Sequence, residues 1–254
     1  DQHVLYDAIK DDVTDDEIFG YMTRHTMGIY FDDAKVERMR GLIAASLAKC
    51  TIVYGVGASY VWQESAFLAY LDMARWEIQL RFRRDEISNV GFQNKSERAS
   101  LQYKQAFFVD WRICDRWKKQ ILKQIDVFID TNKAGEPKMV PAAAVFKGLD
   151  IAASRPFRVV PFFDPGPWGG QWMKEVCDLD KESVNYAWCF DCVPEENSLY
   201  LGFGEVRFEL PSIDLVFTPP EYNAFQTSLE YIQSKDEPEG LNFHLPLCPR
   251  SQNE

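Results

Sequence analysis

Hydrophobic periodicity changes near residue 150 and divides the chain into two predicted regions. Before that point, the clearest pattern is a helix in which apolar residues recur at spacings of three and four from Ile113 to Phe128. After it, short alternating runs such as "SLYLGFGEVRFEL" follow one another closely, which is typical of antiparallel strands. We therefore expect an α/β region over residues 1–150, a β-rich region over 151–234 and a loosely held tail over 235–254.

The predicted N-terminal region alternates helices with short strands. The first 50 residues look helical: Thr14 and Glu17 fit a capping box, and an apolar stripe runs from Asp33 to Lys49. The predicted strands, each an apolar or β-branched run, are 51–54, 66–71 and 105–110. Residues 73–84 fit a strand and a helix equally well. We expect a short helix around Ala142–Leu149, and a last strand in "IDLVFTPP" of the second region.

Composition excludes several classes of function. The net charge of −11 opposes binding to phosphate backbones, so we expect no nucleic-acid partner. No apolar run is long enough to span a bilayer and no secretory signal is visible, so we expect a cytoplasmic protein without a membrane partner. The three histidines are scattered, which gives little support to a histidine zinc site or a Ser/His/Asp triad.

Two groups of residues are candidates for ligand binding. Four arginines form a basic cluster, Arg75, Arg81, Arg83 and Arg84, of which Arg75, Arg81 and Arg84 are the candidates to hold a phosphate. The nearby carboxylates could equally neutralise the cluster: Asp72, Glu77, Asp85 and Glu86. "DPGPWGG" places Trp168 before Gly169 and Gly170, either as a plug at the end of a sheet or as an aromatic platform for a sugar ring.

Several segments resemble a known family. "PFRVVPFFDPGPWGGQWMKEVCDLD" and "NYAWCFDCVPEENSLYLGFG" resemble a long, mostly bacterial variant of the type I mannose-6-phosphate isomerases. "CTIVYGVGAS", "DMARWEIQLRFRR", "SLQYKQAFFVDWRICDRWKKQ" and "PKMV" resemble the α/β region that precedes the isomerase in that variant. The resemblance covers roughly residues 45–220. It implies a three-layer, nucleoside-kinase-like α/β region without a phosphate loop, followed by a partial cupin-like region.

The resemblance also implies a function. The family interconverts aldose and ketose hexose phosphates at a zinc ion, so it implies a sugar-phosphate ligand and zinc as cofactor. Gln226 matches the glutamine of the family's Gln-x-His pair, but Ser228 stands where the histidine belongs. We therefore expect an isomerase-related protein of carbohydrate metabolism that is incomplete or inactive as this chain. The alternative is a non-catalytic module that binds a sugar phosphate or nucleotide through the Arg75–Arg84 cluster.

Overall fold

The chain forms two units in the computed structural model, which describes residues 2–62, 66–153, 175, 178, 180–182 and 197–217. Unit 1 comprises residues 1–68 and 81–125, and unit 2 comprises 69–80 and 126–254. The boundary expected near residue 150 thus falls inside unit 2. Most of the expected β-rich region before residue 197, and the tail from residue 235, lie outside the described residues.

Unit 1 is helical in its described part. Its elements are α1 (Gln2–Val13), a 3-10 turn (Met27–Tyr30), α2 (Asp33–Ala44), α3 (Ala58–Val61), α5 (Ala99–Gln105), a π-helical turn (Ala106–Asp110), α6 (Trp111–Ile121) and a 3-10 turn (Leu122–Gln124). Helix α4 (Arg75–Arg83) precedes α5 and has its last three residues in unit 1.

The core of unit 1 forms where α1 meets the turn that leads into α6. Its buried residues are Leu5, Ile9, Met27, Val109 and Ile113, and aromatic side chains surround them. Leu5 and Ile9 are four positions apart, as are Val109 and Ile113, so each pair lies on one face of its helix.

Three predictions in unit 1 are wrong. Residues 105–110 are helical, because Ala106, Val109 and Ile113 form one buried stripe that continues from α5 into α6. Residues 51–54 are irregular and mostly exposed, since no described strand lies beside them to complete a ladder. Thr14 caps no helix; it follows the end of α1 with φ of 61°, and the residue that caps α2 is Asp32.

Unit 2 contains every described strand. β1 (Ala69–Asp72) pairs in parallel with β2 (Val127–Asp130), and β2 pairs antiparallel with β3 (Lys138–Pro141). Helix α4 begins three residues after β1, which resolves the ambiguity of residues 73–84 in favour of a helix. The expected strand 66–71 is shorter and shifted, and Phe128 belongs to β2 instead of the preceding helix.

A hairpin and a helix complete the described part of unit 2. β4 (Ser198–Phe203) and β5 (Val206–Pro211) pair antiparallel around Gly204, as the alternating pattern predicts. The predicted helix near residue 142 is α7 (Ala142–Ala153), which lies close to β4: a Cβ on Gly148 would stand 2.8 Å from Leu201. The predicted strand in "IDLVFTPP" is instead the short helix α8 (Ile213–Val216).

The described residues therefore combine helices with two small sheets, and they include no closed barrel. The three-layer, kinase-like arrangement and the cupin-like region remain predictions. Among the described helices, none combines the length and the apolar character needed to cross a membrane.

Candidate functional site

Two aspartates end the parallel strands of unit 2. Asp72 is the last residue of β1, Asp130 is the last residue of β2, and the two are register partners. Both are buried. Register partners on parallel strands project to the same face, so the carboxylates share one edge and one side of the sheet. In open α/β sheets this edge, beyond the carboxyl ends of the strands, is where ligands bind.

Asp130 is held by donors from three segments. Its Oδ1 accepts a hydrogen bond of 2.9 Å from the backbone amide of Asn132, and its Oδ2 accepts one of 3.0 Å from the backbone amide of Glu209. The Lys138 ammonium on β3 lies 3.3 Å from the same Oδ2. Asp130 is 1% exposed, so the ammonium partly offsets the loss of hydration of this carboxylate.

Glu209 on β5 is the second buried acceptor of this edge. Its Oε1 accepts hydrogen bonds from the indole Nε1 of Trp76 at 2.7 Å and from the hydroxyl of Ser198. Burial raises the pKa of Glu209, while the bonds from Ser198 and Trp76 lower it in part. Compared with an exposed glutamate, Glu209 therefore keeps more of its neutral acid form as the pH rises.

Asn132 connects the sheet edge with helix α4. Its Oδ1 accepts a hydrogen bond of 2.7 Å from the backbone amide of Ala74, immediately before the first helical residue, and its Nδ2 donates to Oε2 of Glu209 at 3.3 Å. One amide thus caps the helix and satisfies the buried carboxylate. We call this set of side chains the strand-end network: Asp72, Trp76, Asp130, Asn132, Lys138, Ser198 and Glu209.

Tyr200 and Arg207 lie on the same hairpin as Glu209. The Arg207 guanidinium stands over the ring of Tyr200, 3.6 Å from its centroid. Burial raises the pKa of Tyr200 to about 12, with a further contribution from the charge of Glu209. Tyr200 therefore stays neutral at physiological pH and can both donate and accept a hydrogen bond.

The described residues do not fit the zinc ion that the resemblance implies. They include no group of three or more His, Cys, Asp and Glu side chains arranged to hold a metal. Within the strand-end network, N–H and O–H donors already occupy the carboxylate oxygens of Asp130 and Glu209. Gln226, the expected metal ligand, lies outside the described residues.

The three predicted arginines have different surroundings. Arg75 is buried at the start of α4, Arg81 is half-buried, and Arg84 follows the helix and is exposed. Arg84 forms a bidentate ion pair with Glu86, at 2.7 Å and 3.1 Å, and this pair lowers the pKa of Glu86. Arg81 lies six positions after Arg75 and therefore on a different face of α4, and Arg84 lies beyond the helix, so α4 does not direct the three side chains to one point.

The other expected site residues, Trp168, Gly169 and Gly170, lie outside the described residues. Sequence reasoning treated Asp72 only as a partner for arginine and missed Asp130, Asn132, Ser198 and Glu209. A signal was present for the two aspartates, because each ends a short apolar run, in "AYLD" and "VFID". Their pairing depends on strand order.

Unit 1 contains a separate buried carboxylate in its π-helical turn, a feature that often marks functional positions. Asp110 accepts hydrogen bonds from Tyr30 Oη at 2.7 Å, from Asn89 Nδ2 at 2.8 Å and from the backbone amide of Val90 at 3.4 Å. Burial raises the pKa of Asp110 to about 6 in spite of these donors. Asn89 also donates to the carbonyl of Gln102, which ties the loop before α5 to that helix.

Comparison with known proteins gives one family. Residues 1–154 match the model of a family described as a domain of unknown function (DUF8485). This match spans more than half of the chain and includes Asp72, Asp130, Asn132 and Lys138, whereas Ser198 and Glu209 lie beyond it. No curated protein and no solved structure matches the chain. The chain therefore belongs to the DUF8485 family.

Proposed function

We propose that the chain is a mannose-6-phosphate isomerase-related protein of carbohydrate metabolism, and that the strand-end network of unit 2 binds a hexose phosphate without converting it. The observation that carries the proposal is the pairing of Asp72 with Asp130 at the carboxyl ends of parallel strands, beside the hydrogen-bonded Glu209. This is the edge at which open α/β sheets bind small molecules.

The chemistry of the network suits a sugar. The half-buried amide of Asn132 can hydrogen-bond ligand hydroxyls, and the half-buried indole of Trp76 offers an apolar surface to a sugar ring. Both side chains are held in place by their hydrogen bonds to the buried Glu209 carboxylate. Trp76, Asn132 and Lys138 are half-buried, so they provide the accessible rim of an otherwise buried set. The Lys138 ammonium supplies a positive charge for the phosphate end of the ligand.

The resemblance to the isomerases supports the same region. Three of the resembling segments contribute to the network: "DMARWEIQLRFRR" supplies Asp72 and Trp76, "PKMV" supplies Lys138, and the segment that ends in "SLYLGFG" supplies Ser198. These segments lie far apart in the sequence. Their convergence favours this network over the arginine cluster, whose Arg84 is paired with Glu86.

Isothermal titration of the full chain with mannose 6-phosphate, mannose and inorganic phosphate tests the proposal. We expect mannose 6-phosphate to bind more tightly than either part alone. Glu209→Gln should weaken binding of mannose 6-phosphate and of mannose by at least tenfold, which corresponds to about 1.4 kcal/mol. The reason is that the variant replaces one oxygen of a buried carboxylate that accepts hydrogen bonds within the network. Lys138→Met should weaken binding of the phosphate ester more than binding of the free sugar.

Two matched variants serve as controls. Glu136→Gln and Lys133→Met change an exposed ion pair of 2.8 Å in the same unit and should leave binding unchanged. Trp76→Phe, which keeps an aromatic ring but removes the indole donor, provides a second measurement if Glu209→Gln fails to fold. The absence of binding heat for mannose 6-phosphate, mannose and phosphate with folded protein contradicts the proposal, as does unchanged affinity in both network variants.

A further inference from the structure

Unit 1 exposes two apolar surfaces that carry opposite charge. We define the acidic face as residues 11–22 and the basic face as residues 35–56. The acidic face contains five carboxylates and no Lys or Arg, and the basic face contains four Lys or Arg and one carboxylate. Both faces present large apolar side chains to solvent, which monomeric proteins rarely do over a contiguous area.

The acidic face displays Ile18, Phe19 and Tyr21, each about 70% exposed. Hydrogen bonds hold this loop in place: Asp16 Oδ1 accepts from the backbone amides of Ile18 and Phe19, both at 2.7 Å. The buried Lys104 ammonium donates to the carbonyls of Thr14 and Asp16. The apolar side chains are therefore presented to solvent by a fixed loop.

The basic face is an apolar stretch with uncompensated cations. Leu47, Ile52 and Tyr54 are each at least 80% exposed. Among the described residues, neither Lys35 nor Lys49 forms an ion pair, whereas Arg40 pairs with Glu37. Residues 51–54 (Thr-Ile-Val-Tyr) strongly prefer extended structure, yet no described strand pairs with them.

We propose that the two faces dock against each other between two copies of this chain, the acidic face of one copy on the basic face of the other. Charge complementarity supports a second copy as the occupant. A bilayer of anionic lipid or a nucleic acid would attract the basic face but repel a chain whose net charge is −11. In a reciprocal dimer, the acidic face of each copy contacts the basic face of the other copy. This arrangement closes a two-fold dimer, which is the commonest symmetry among soluble oligomers.

Charge reversal tests the proposal on the full chain by sedimentation velocity over a range of protein concentration. The acid variant combines Asp11→Lys and Asp15→Lys, and the base variant combines Lys35→Glu and Lys49→Glu. All four side chains are exposed, and a glutamate in the first turn of α2 is compatible with the helix dipole. Each variant alone should raise the dissociation constant of the dimer at least tenfold. Lys95→Glu with Lys123→Glu, reversed elsewhere on exposed sites of unit 1, should leave it unchanged.

Mixing gives the sharper result. The acid variant leaves three carboxylates and two lysines on the acidic face, and the base variant leaves two arginines and three glutamates on the basic face, so each altered face carries a net charge of −1. In an equimolar mixture the unaltered basic face of the acid variant meets the unaltered acidic face of the base variant, so the mixture should associate more tightly than either variant alone. The same association should weaken when salt is raised, because exposed charges are screened. A chain that stays monomeric at every concentration overturns the proposal. So does a monomer that binds vesicles of anionic lipid through Lys35 and Lys49, or a dimer that neither variant weakens.

Discussion

The Tyr30 hydroxyl donates a hydrogen bond of 2.7 Å to the Asp110 carboxylate, across 80 positions of the sequence. The contact joins the 3-10 turn before α2 to the π-helical turn before α6, inside unit 1. The bond satisfies one oxygen of this fully buried carboxylate, and Asn89 and Val90 donate hydrogen bonds to the other oxygen.

Asp110→Asn should make unit 1 less sensitive to pH. Burial raises the pKa of Asp110 from 3.8 to about 6, so the folded chain binds a proton more tightly than the unfolded chain. The favourable contribution is complete below pH 3.8 and is lost as the pH rises through about 6, a change of roughly 3 kcal/mol. Asparagine fits the site, because its amide can donate to the Tyr30 oxygen while its carbonyl accepts from Asn89.

Urea unfolding of the wild type and of Asp110→Asn between pH 4 and pH 8 measures the effect. The variant should gain free energy of unfolding relative to the wild type as the pH rises, with most of the gain between about pH 4 and pH 6. A difference between the two proteins that stays constant with pH would show that Asp110 is ionised over the whole range.

Tyr30→Phe should destabilise unit 1 more at pH 8 than at pH 4. At pH 8 the hydroxyl bonds an ionised carboxylate, and such bonds contribute about 1.5–3 kcal/mol, whereas the bond to a neutral acid contributes about 0.5–1.5 kcal/mol. A double-mutant cycle with Asp110→Asn, run at both pH values, isolates the coupling between the two side chains. Equal coupling energies at pH 4 and pH 8 would contradict the assigned protonation of Asp110.

Asn132→Ala should destabilise unit 2 by about 1–2 kcal/mol. The change removes the acceptor of the fully buried Ala74 amide at the start of α4, and it removes one donor to Glu209. Asn132→Asp keeps the cap but places a second negative charge beside Glu209. It should therefore be less harmful at low pH, where carboxyls are neutral, than at pH 8. Thermal unfolding by circular dichroism measures both, and Lys133→Ala, next to it on the surface, should change stability by less than about 0.5 kcal/mol.

Gly91→Ala should destabilise the chain more than Gly135→Ala. Both glycines have φ between 75° and 79°, so alanine is strained at either position. Only at Gly91 would the new Cβ also stand 2.6 Å from Leu5, a core residue of unit 1, whereas at Gly135 it meets nothing within 4 Å. The difference between the two variants in urea unfolding, expected at about 1–3 kcal/mol, isolates the contact with Leu5. Equal losses of stability in the two variants would show that backbone strain, and not the contact with Leu5, accounts for the destabilisation.

Isomerase activity should be absent from this chain. The described residues include no donor set for zinc, and Ser228 replaces the histidine of the Gln-x-His pair in the resembling family. A coupled assay with fructose 6-phosphate, run alongside metal analysis of the purified protein, checks this expectation. Turnover that accompanies stoichiometric zinc would contradict it and would place metal ligands outside the described residues.

Local patterns predicted some elements well and others badly. The hairpin of β4 and β5 and the helix α7 follow from alternation and from a run of helix-forming residues, which are local properties. Residues 105–110 were predicted as a strand because aromatic and β-branched residues favour strands. The spacing of the buried Ala106, Val109 and Ile113 indicates a helix only when these residues are taken together with α5 and α6. Residues 51–54 show the reverse: their preference for extended structure is strong, but a strand needs a neighbour.

The sequence by itself determined the acidic charge of the chain, the apolar stripe of α6 and the β4–β5 hairpin. Only the tertiary structure decided that Asp72 and Asp130 are neighbours, that Asn132 caps α4 while bonding Glu209, and that Tyr30 satisfies Asp110. The physical reason is sequence distance. A helix or hairpin forms from contacts a few positions apart, whereas each of these pairs lies at least 58 positions apart and meets only once strand order and burial are fixed.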